Sequence, residues 1–333
     1  MNEQSVTLFP IRARVGRSVK TGYINTQGEV AISPRYDQGQ PFRERLAAVK
    51  LDAKWGFINT AGEFAITPRF SSVKNFHEGI AVAFEKGKRG AIDLRGTLVV
   101  PFAYDQIYDF SEGLATINSE GSFGFIDKLG RLAIPATYDD ARGFSEGLAA
   151  VQKHGAWGYI NHSGELSIPL KFPAEDFRAA LAFVSGIGRV PERGKFGYID
   201  RCGDYVIPPQ FGTAGPHIEG LASVRKEHLY GFIDLKGEVT IPIEFSFARD
   251  FCEGLAAVCF DKEYGYINET GRVVIAPRFL VAEDFENGLA YVELEKTVGY
   301  INTSGDFVWK SEYMAGGPGN LRELIANKVF KVT

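Results

Sequence analysis

Carboxylates and carboxamides recur along this chain at an even step: Asn25, Asn59, Asp93, Asp127, Asn161, Asp200, Asp234, Asn268 and Asn302. Evenly spaced acids such as Asp93, Asp127, Asp200 and Asp234 could ligate calcium through oxygen. Here Asn replaces Asp freely and companion acids are missing, so the row reads as turn chemistry instead. A second row, Glu78, Glu112, Glu146, Glu219 and Glu253, reads as carboxylates bonding backbone amides of the linking segments. The five histidines (His77, His154, His162, His217 and His228) show no His-x-x-x-His spacing. Cys202, Cys252 and Cys259 form no CxxC pair and no disulfide framework, and the last two read as small fillers. Gly186-Ile187-Gly188 lacks the third glycine and the strand-to-helix setting of a phosphate loop. The expectation is a non-enzyme with no catalytic residue, no metal site and no cofactor.

The elements behind these rows come from a repeat. A glycine followed by an aromatic and an isoleucine falls at Gly22, Gly56, Gly90, Gly124, Gly158, Gly197, Gly231, Gly265 and Gly299. The spacing is 34 residues seven times and 39 once. Two residues on is always Ile, three on is Asn or Asp, six on is Gly, and fourteen on is Phe or Tyr. Only Ala91 breaks the aromatic that follows the glycine. Asn59-Thr60-Ala61-Gly62 fits a type I turn closed by a left-handed glycine. The alternation of Phe64 and Ile66, Leu132 and Ile134, or Val239 and Ile241 predicts a strand with one buried face. A proline such as Pro68 then ends it. Upstream, Phe-x-Glu-Gly leads into a strand such as Leu114-Ala115-Thr116-Ile117. In the second unit the three predicted strands span 46–51, 55–59 and 63–67, followed by an irregular link. The position-fourteen aromatic and the Phe before Glu-Gly are the expected pegs between units.

The words Glu-Gly-Leu-Ala, aromatic-Gly-Phe/Tyr-Ile-Asn/Asp and Ile-x-Pro-x-Phe/Tyr resemble the WG-repeat family of bacterial proteins. The literal Trp survives at Trp55-Gly56 and Trp157-Gly158, while Thr21, Arg89 and Val298 depart from it. The resemblance covers about residues 8–313. It implies a β-repeat array used for binding, with no common activity and no catalytic residue to carry over. Some members accompany secreted bacterial toxins, which implies an immunity or toxin-binding role for part of the family.

Three strands in 34 residues are few for a propeller blade, and nine units are many for a propeller. The expected fold is therefore all-β: nine three-stranded antiparallel repeats stacked as an open twisted solenoid over residues 1–313. Residues 314–333 are expected to cap it, with a short helix starting at Asn320. A β-propeller is the alternative.

The net charge of −4 offers no pull toward nucleic acid or anionic membrane. No apolar run reaches the roughly 18 residues of a membrane span, and no signal peptide is visible, so a cytoplasmic protein is expected. Function in repeats resides in what the copies do not share. The early hairpins are basic: Arg17 and Lys20, Lys50 and Lys54, then Lys86, Lys88 and Arg89, with Asp52 and Glu85 partly offsetting them. The 39-residue interval is read as a longer loop over Ser185–Lys195, carrying Arg189, Arg193 and Lys195. The expected function is recognition of a partner protein through these loops, with a toxin as one candidate. Carbohydrate or cell-wall binding is the alternative.

Overall fold

The computed structural model describes residues 7–173 and 182–312. The described chain divides into two compact units, one of residues 7–154 and 162–165, the other of residues 155–161, 166–173 and 182–312. Every regular element among these residues is a strand. The expected capping helix lies outside the described residues.

The repeat is a four-stranded antiparallel meander rather than a three-stranded one. In the second copy a strand of only two residues, Gln38–Gly39, pairs with Ala47–Leu51, which pairs with Lys54–Ile58 and then Phe64–Phe70. The first copy has three strands, Phe9–Val15, Ser18–Ile24 and Val30–Tyr36; the other eight sheets have four. The link expected to be irregular thus supplies a strand. The edge strand is two residues long in six of these sheets and six residues long in Gln106–Ser111 and Asp140–Ser145. Four-stranded antiparallel meanders repeated in this way are β-propeller blades, nine among the described residues when the three-stranded first copy is included, and the open solenoid is corrected accordingly. Blades 1–4 lie in the first unit and blades 6–9 in the second. Blade 5 carries the division, with Asp140–Ser145 and Leu148–Lys153 in the first unit and Ala156–Ile160 and Leu166–Pro173 in the second.

The repeated glycine has a steric cause. Trp55 pairs with Phe70 and Phe57 with Ile66, so the outermost strand, Phe64–Phe70, bulges opposite Gly56. A Cβ on Gly56 would stand 2.4 Å from the Ile66 carbonyl oxygen and 2.6 Å from the Pro68 nitrogen. Pro68 sits inside that bulge, and the strand runs on to Phe70; the proline marks the bulge and not the strand's end. The Asx row builds turns as expected. Asn59 Oδ1 accepts from the amides of Ala61 and Glu63, both at 3.0 Å, and Asp93, Asp127, Asp200, Asp234, Asn268 and Asn302 repeat the pattern.

Packing between successive blades uses the same positions each time. The turn glycine of one blade rests on an outermost-strand aliphatic of the blade before, Gly62 on Ile32 and Gly237 on Ile207. Arg35 donates to the Gly62 carbonyl at 2.6 Å, and Arg278 to that of Gly305 at 2.6 Å. Most of the expected pegs are buried, while Phe42, Tyr104 and Tyr138 are half-buried. Phe76 meets Phe57 with ring centroids 4.7 Å apart, and Phe251 meets Phe232 at 4.8 Å. One half of the alternation differs from expectation: Ile66 is 3% exposed, but Phe64 is 40% exposed. Val30, Leu98 and Leu132 are exposed like Phe64, because each starts the outermost strand at the open edge of its blade.

Candidate functional site

The glutamate row is a set of links between blades. Glu78 and Gly79 both have positive φ, 53° and 82°, in a two-residue turn whose flanks, His77 and Ile80, exchange backbone hydrogen bonds. Two left-handed residues in succession turn their amides outward together, a concavity that suits an anion. The preceding blade's glutamate fills it. Glu78 accepts from the amides of Glu112 at 2.6 Å and Gly113 at 2.9 Å. Glu219 does so with Glu253 and Gly254, and Glu253 with Asn287 and Gly288. Glu44 reaches Gly79, and Glu112 reaches Gly147. Burial pushes the Glu78 carboxyl up, but the amides of Gly113 and Glu112, together with Lys128, outweigh it and hold the group below the usual range.

The early basic residues lie at the other strand ends, on the hairpin tips of blades 1, 2 and 3. Arg17 is exposed in the tip between Val15 and Ser18. Lys50, half-buried, and Lys54, exposed, flank the tip residues Asp52 and Ala53. Lys86 is exposed in its tip. Three members of the row are used by the fold. Lys20 pairs with Asp37 at 2.5 Å and Lys88 with Asp105 at 2.6 Å. Arg89 lies 5.6 Å from the Phe84 ring centroid and donates to the Asp105 carbonyl at 3.3 Å. Among the described residues no carboxylate pairs with Arg17, Lys50, Lys54 or Lys86.

The second basic group stands elsewhere and is not a long loop. Gly188 pairs with Ile199 and Val190 with Gly197, as Ala222 pairs with Ile233 and Val224 with Gly231. Ile187–Glu192 is therefore an ordinary second strand of blade 6, followed by an ordinary two-residue tip at Arg193 and Gly194. The extra length lies before Phe183, mostly outside the described residues. The serine of Phe183-Val184-Ser185-Gly186 stands where other blades have Glu, which hides the register in the sequence. Arg193 and Lys195 are exposed at the tip, but Arg189 faces Tyr198 and donates to the Ala214 carbonyl.

Around Arg189 the second unit gathers polar side chains that the sequence reading left inside the links. Asp250 accepts from Ser223 Oγ at 2.8 Å. Arg249 pairs with Glu283 at 2.8 Å and approaches Asp284 at 3.9 Å. The hydroxyls of Tyr198 and Tyr266 donate to the carbonyls of Gly215 and Glu283. Burial raises the Asp250 pKa, the Ser223 hydroxyl opposes this, and the Asp284 charge adds to it. Burial also lowers the Arg189 pKa. The nearby Cys252 thiol is pushed up to about 12, by burial first and then by Asp284 and Asp250, so it offers little thiolate at neutral pH. The cluster can hold and orient hydrogen-bonding groups, but it presents no activated nucleophile. Its signal in the sequence was the run of polar residues just after each short strand, in segments taken for irregular links. The two literal tryptophans are spent inside, Trp55 at 8% and Trp157 at 1% exposure. Among the described residues no group of three or more His, Cys, Asp or Glu could hold a metal ion.

Blades of this kind, with turn, bulge and packing residues repeated along the chain, define a propeller-class repeat protein. The sequence profile described as WG containing repeat matches residues 22–55, 55–88, 90–121, 123–155, 157–195, 196–227, 230–264 and 264–297. The chain belongs to that family. No curated protein matches it. Among solved structures, a eukaryotic initiation factor is similar, with 13% identity, a TM-score of 0.64, and coverage of 93% of this chain and 96% of that one. Dihydro-heme d1 dehydrogenase NirN in complex with DHE follows at 12% identity and a TM-score of 0.48, covering 94% and 74%. Kluyveromyces lactis Hsv2p gives 8% identity and a TM-score of 0.41, covering 81% and 94%. At such identity the first likeness speaks to fold alone, and the other two carry no argument.

Proposed function

We propose that this chain is a non-enzymatic binding protein that takes an acidic face of a partner protein on the hairpin tips of blades 1–3. A repeat β-fold of this kind suits a protein-binding scaffold. The observation that carries the reading is the contrast among the basic residues. Lys20 and Lys88 are neutralised by Asp37 and Asp105, while Arg17, Lys50, Lys54 and Lys86, on three successive tips, have no acidic partner among the described residues. Like charges on neighbouring tips, only partly offset by Asp52 and Glu85, repel one another, and an acidic partner relieves that repulsion. Neutralisation of a toxin protein in the cytoplasm is the finer form of the proposal, and it rests on the family resemblance. The test is capture of partners from the native cell by the wild-type chain and by Lys54→Glu/Lys86→Glu, with identification by mass spectrometry. The expected result is an acidic protein held by the wild type, released by salt and lost from the variant. A partner held equally by both would refute the use of this rim.

A further inference from the structure

Five described steps between blades place a glutamate on the outward amides of the next blade's turn: Glu44 on Gly79, Glu78 on Glu112 and Gly113, Glu112 on Gly147, Glu219 on Glu253 and Gly254, and Glu253 on Asn287 and Gly288. Blade 7 presents the same turn. Glu219 and Gly220 have φ of 54° and 83°, against 56° and 76° at Glu253 and Gly254. Their flanks, Ile218 and Leu221, exchange backbone hydrogen bonds at 3.0 and 3.1 Å. The difference lies one blade upstream. Ser185 holds the glutamate's place, and its hydroxyl donates to the His217 carbonyl at 3.0 Å. A serine oxygen stands two bonds nearer the backbone than a glutamate carboxylate oxygen. The amides of Glu219 and Gly220 accordingly meet no acceptor among the described residues, and both residues are exposed. The backbone is built for a carboxylate that no described residue places there.

An apolar side chain stands in register with the same turn. In blades 4 and 5 the residue after the turn aspartate or asparagine reaches the bound carboxylate, Lys128 to Glu78 at 3.1 Å and His162 to Glu112 at 3.2 Å. Blade 7 has Leu235 in that position, 40% exposed, as blade 3 has Leu94, 43% exposed, where the turn takes Glu44. An exposed leucine in that position is therefore compatible with a bound carboxylate. We propose that the Glu219–Gly220 turn is a docking site for a glutamate or aspartate side chain of a partner protein, with an apolar neighbour of that acid resting on Leu235. The site lies in the second unit and at the opposite strand ends from the basic tips, so failure of the charge-reversal test leaves it standing.

The experiment is amide NMR of the full chain titrated with sodium acetate, with the neutral isostere acetamide, and with the dipeptide acetyl-Glu-Leu-amide. The Glu219 and Gly220 amide signals are expected to move with acetate, to saturate in roughly the millimolar range, and to stay still in acetamide. The Gly254 amide, already bonded to Glu219, is expected not to respond. Ser185→Glu restores a tethered carboxylate, so its Glu219 and Gly220 signals should begin displaced and lose the response. Tighter binding of the dipeptide than of acetate, by threefold or more, supports a partner side chain; equal binding overturns that assignment in favour of small free carboxylates. Signals that ignore acetate, or follow acetamide equally, overturn the site itself. The wild-type titrations decide the matter even if Ser185→Glu fails to fold.

Discussion

Gly56 and His217 show how one residue can be dictated by its blade. Gly56→Ala would drive a methyl into the Ile66 carbonyl and the Pro68 nitrogen, which are backbone atoms of a bulge and cannot swing away. A loss of about 1–3 kcal/mol or more is expected in urea unfolding; an unchanged midpoint would show that the bulge yields. His217 stands where blades 2 to 6, 8 and 9 have Phe42, Phe76, Phe110, Phe144, Phe183, Phe251 and Phe285. It is 1% exposed, its Nε2 lies 3.0 Å from the Asp234 carbonyl, and its Nδ1 is buried without a partner. The carbonyl contact assigns the proton to Nε2. Burial lowers its pKa, with the Asp234 carbonyl pulling the other way. The unfolded histidine then binds a proton at higher pH than the folded one. Stability should fall as pH drops below the ordinary value of 6.5 and level off below the folded pKa. His217→Phe should remove this part of the loss in Tm between about pH 7 and about pH 5; an identical pH profile in the variant would count against it.

At the scale of the element, the links between blades are where stability can be probed. Phe144 is 2% exposed, tilted on Phe125 at 5.1 Å and stacked on His162 at 4.3 Å. Phe144→Ala is expected to cost about 3–5 kcal/mol, read by denaturant titration, and a loss under 1 kcal/mol would show that the peg is dispensable. The glutamate link is weaker because it is partly exposed. Glu78→Gln keeps the shape and removes the charge, at an expected cost of roughly 0.5–1 kcal/mol after solvent screening. Because the folded Glu78 pKa is depressed below 4.5, its contribution is present above that value and lost as pH falls through the folded pKa. The difference between wild type and Glu78→Gln should therefore shrink on acidification. A difference constant from neutral pH to about pH 3 would place its cause outside the carboxylate.

For the whole molecule, the repeated residues and the variable ones have separate tasks. Lys54→Glu/Lys86→Glu touches no packed position, so its stability should match the wild type within about 0.5 kcal/mol while partner capture is lost. A large drop in Tm would instead assign the tips to the fold. The exposed apolar starts of the outer strands, such as Val30, Leu132 and Val239, recur in both units. Each sits beside a bulge in the outermost strand, a device that discourages edge-to-edge pairing.

The turns, the close-approach glycines, the pegs and the nine-fold count were legible in the sequence by itself. Each depends on contacts within one copy or between neighbours, and nine copies repeat the constraint until it stands out. Four matters were decided only by the tertiary structure. The Gln38–Gly39 type of strand is two residues long, too short to show a period, and it exists because a neighbouring strand offers it a ladder. That strand turns a three-stranded unit into a four-stranded meander, and hence a solenoid repeat into a propeller blade. Arg189 and Asp250 come together across blades 6 and 8 of the second unit, at positions whose polarity looked like that of a solvated link. The register of blade 6 was hidden by Ser185, since the reading relied on the glutamate that the serine replaces. The same substitution leaves the amides of Glu219 and Gly220 facing outward, a consequence that needs both blades in place to be seen.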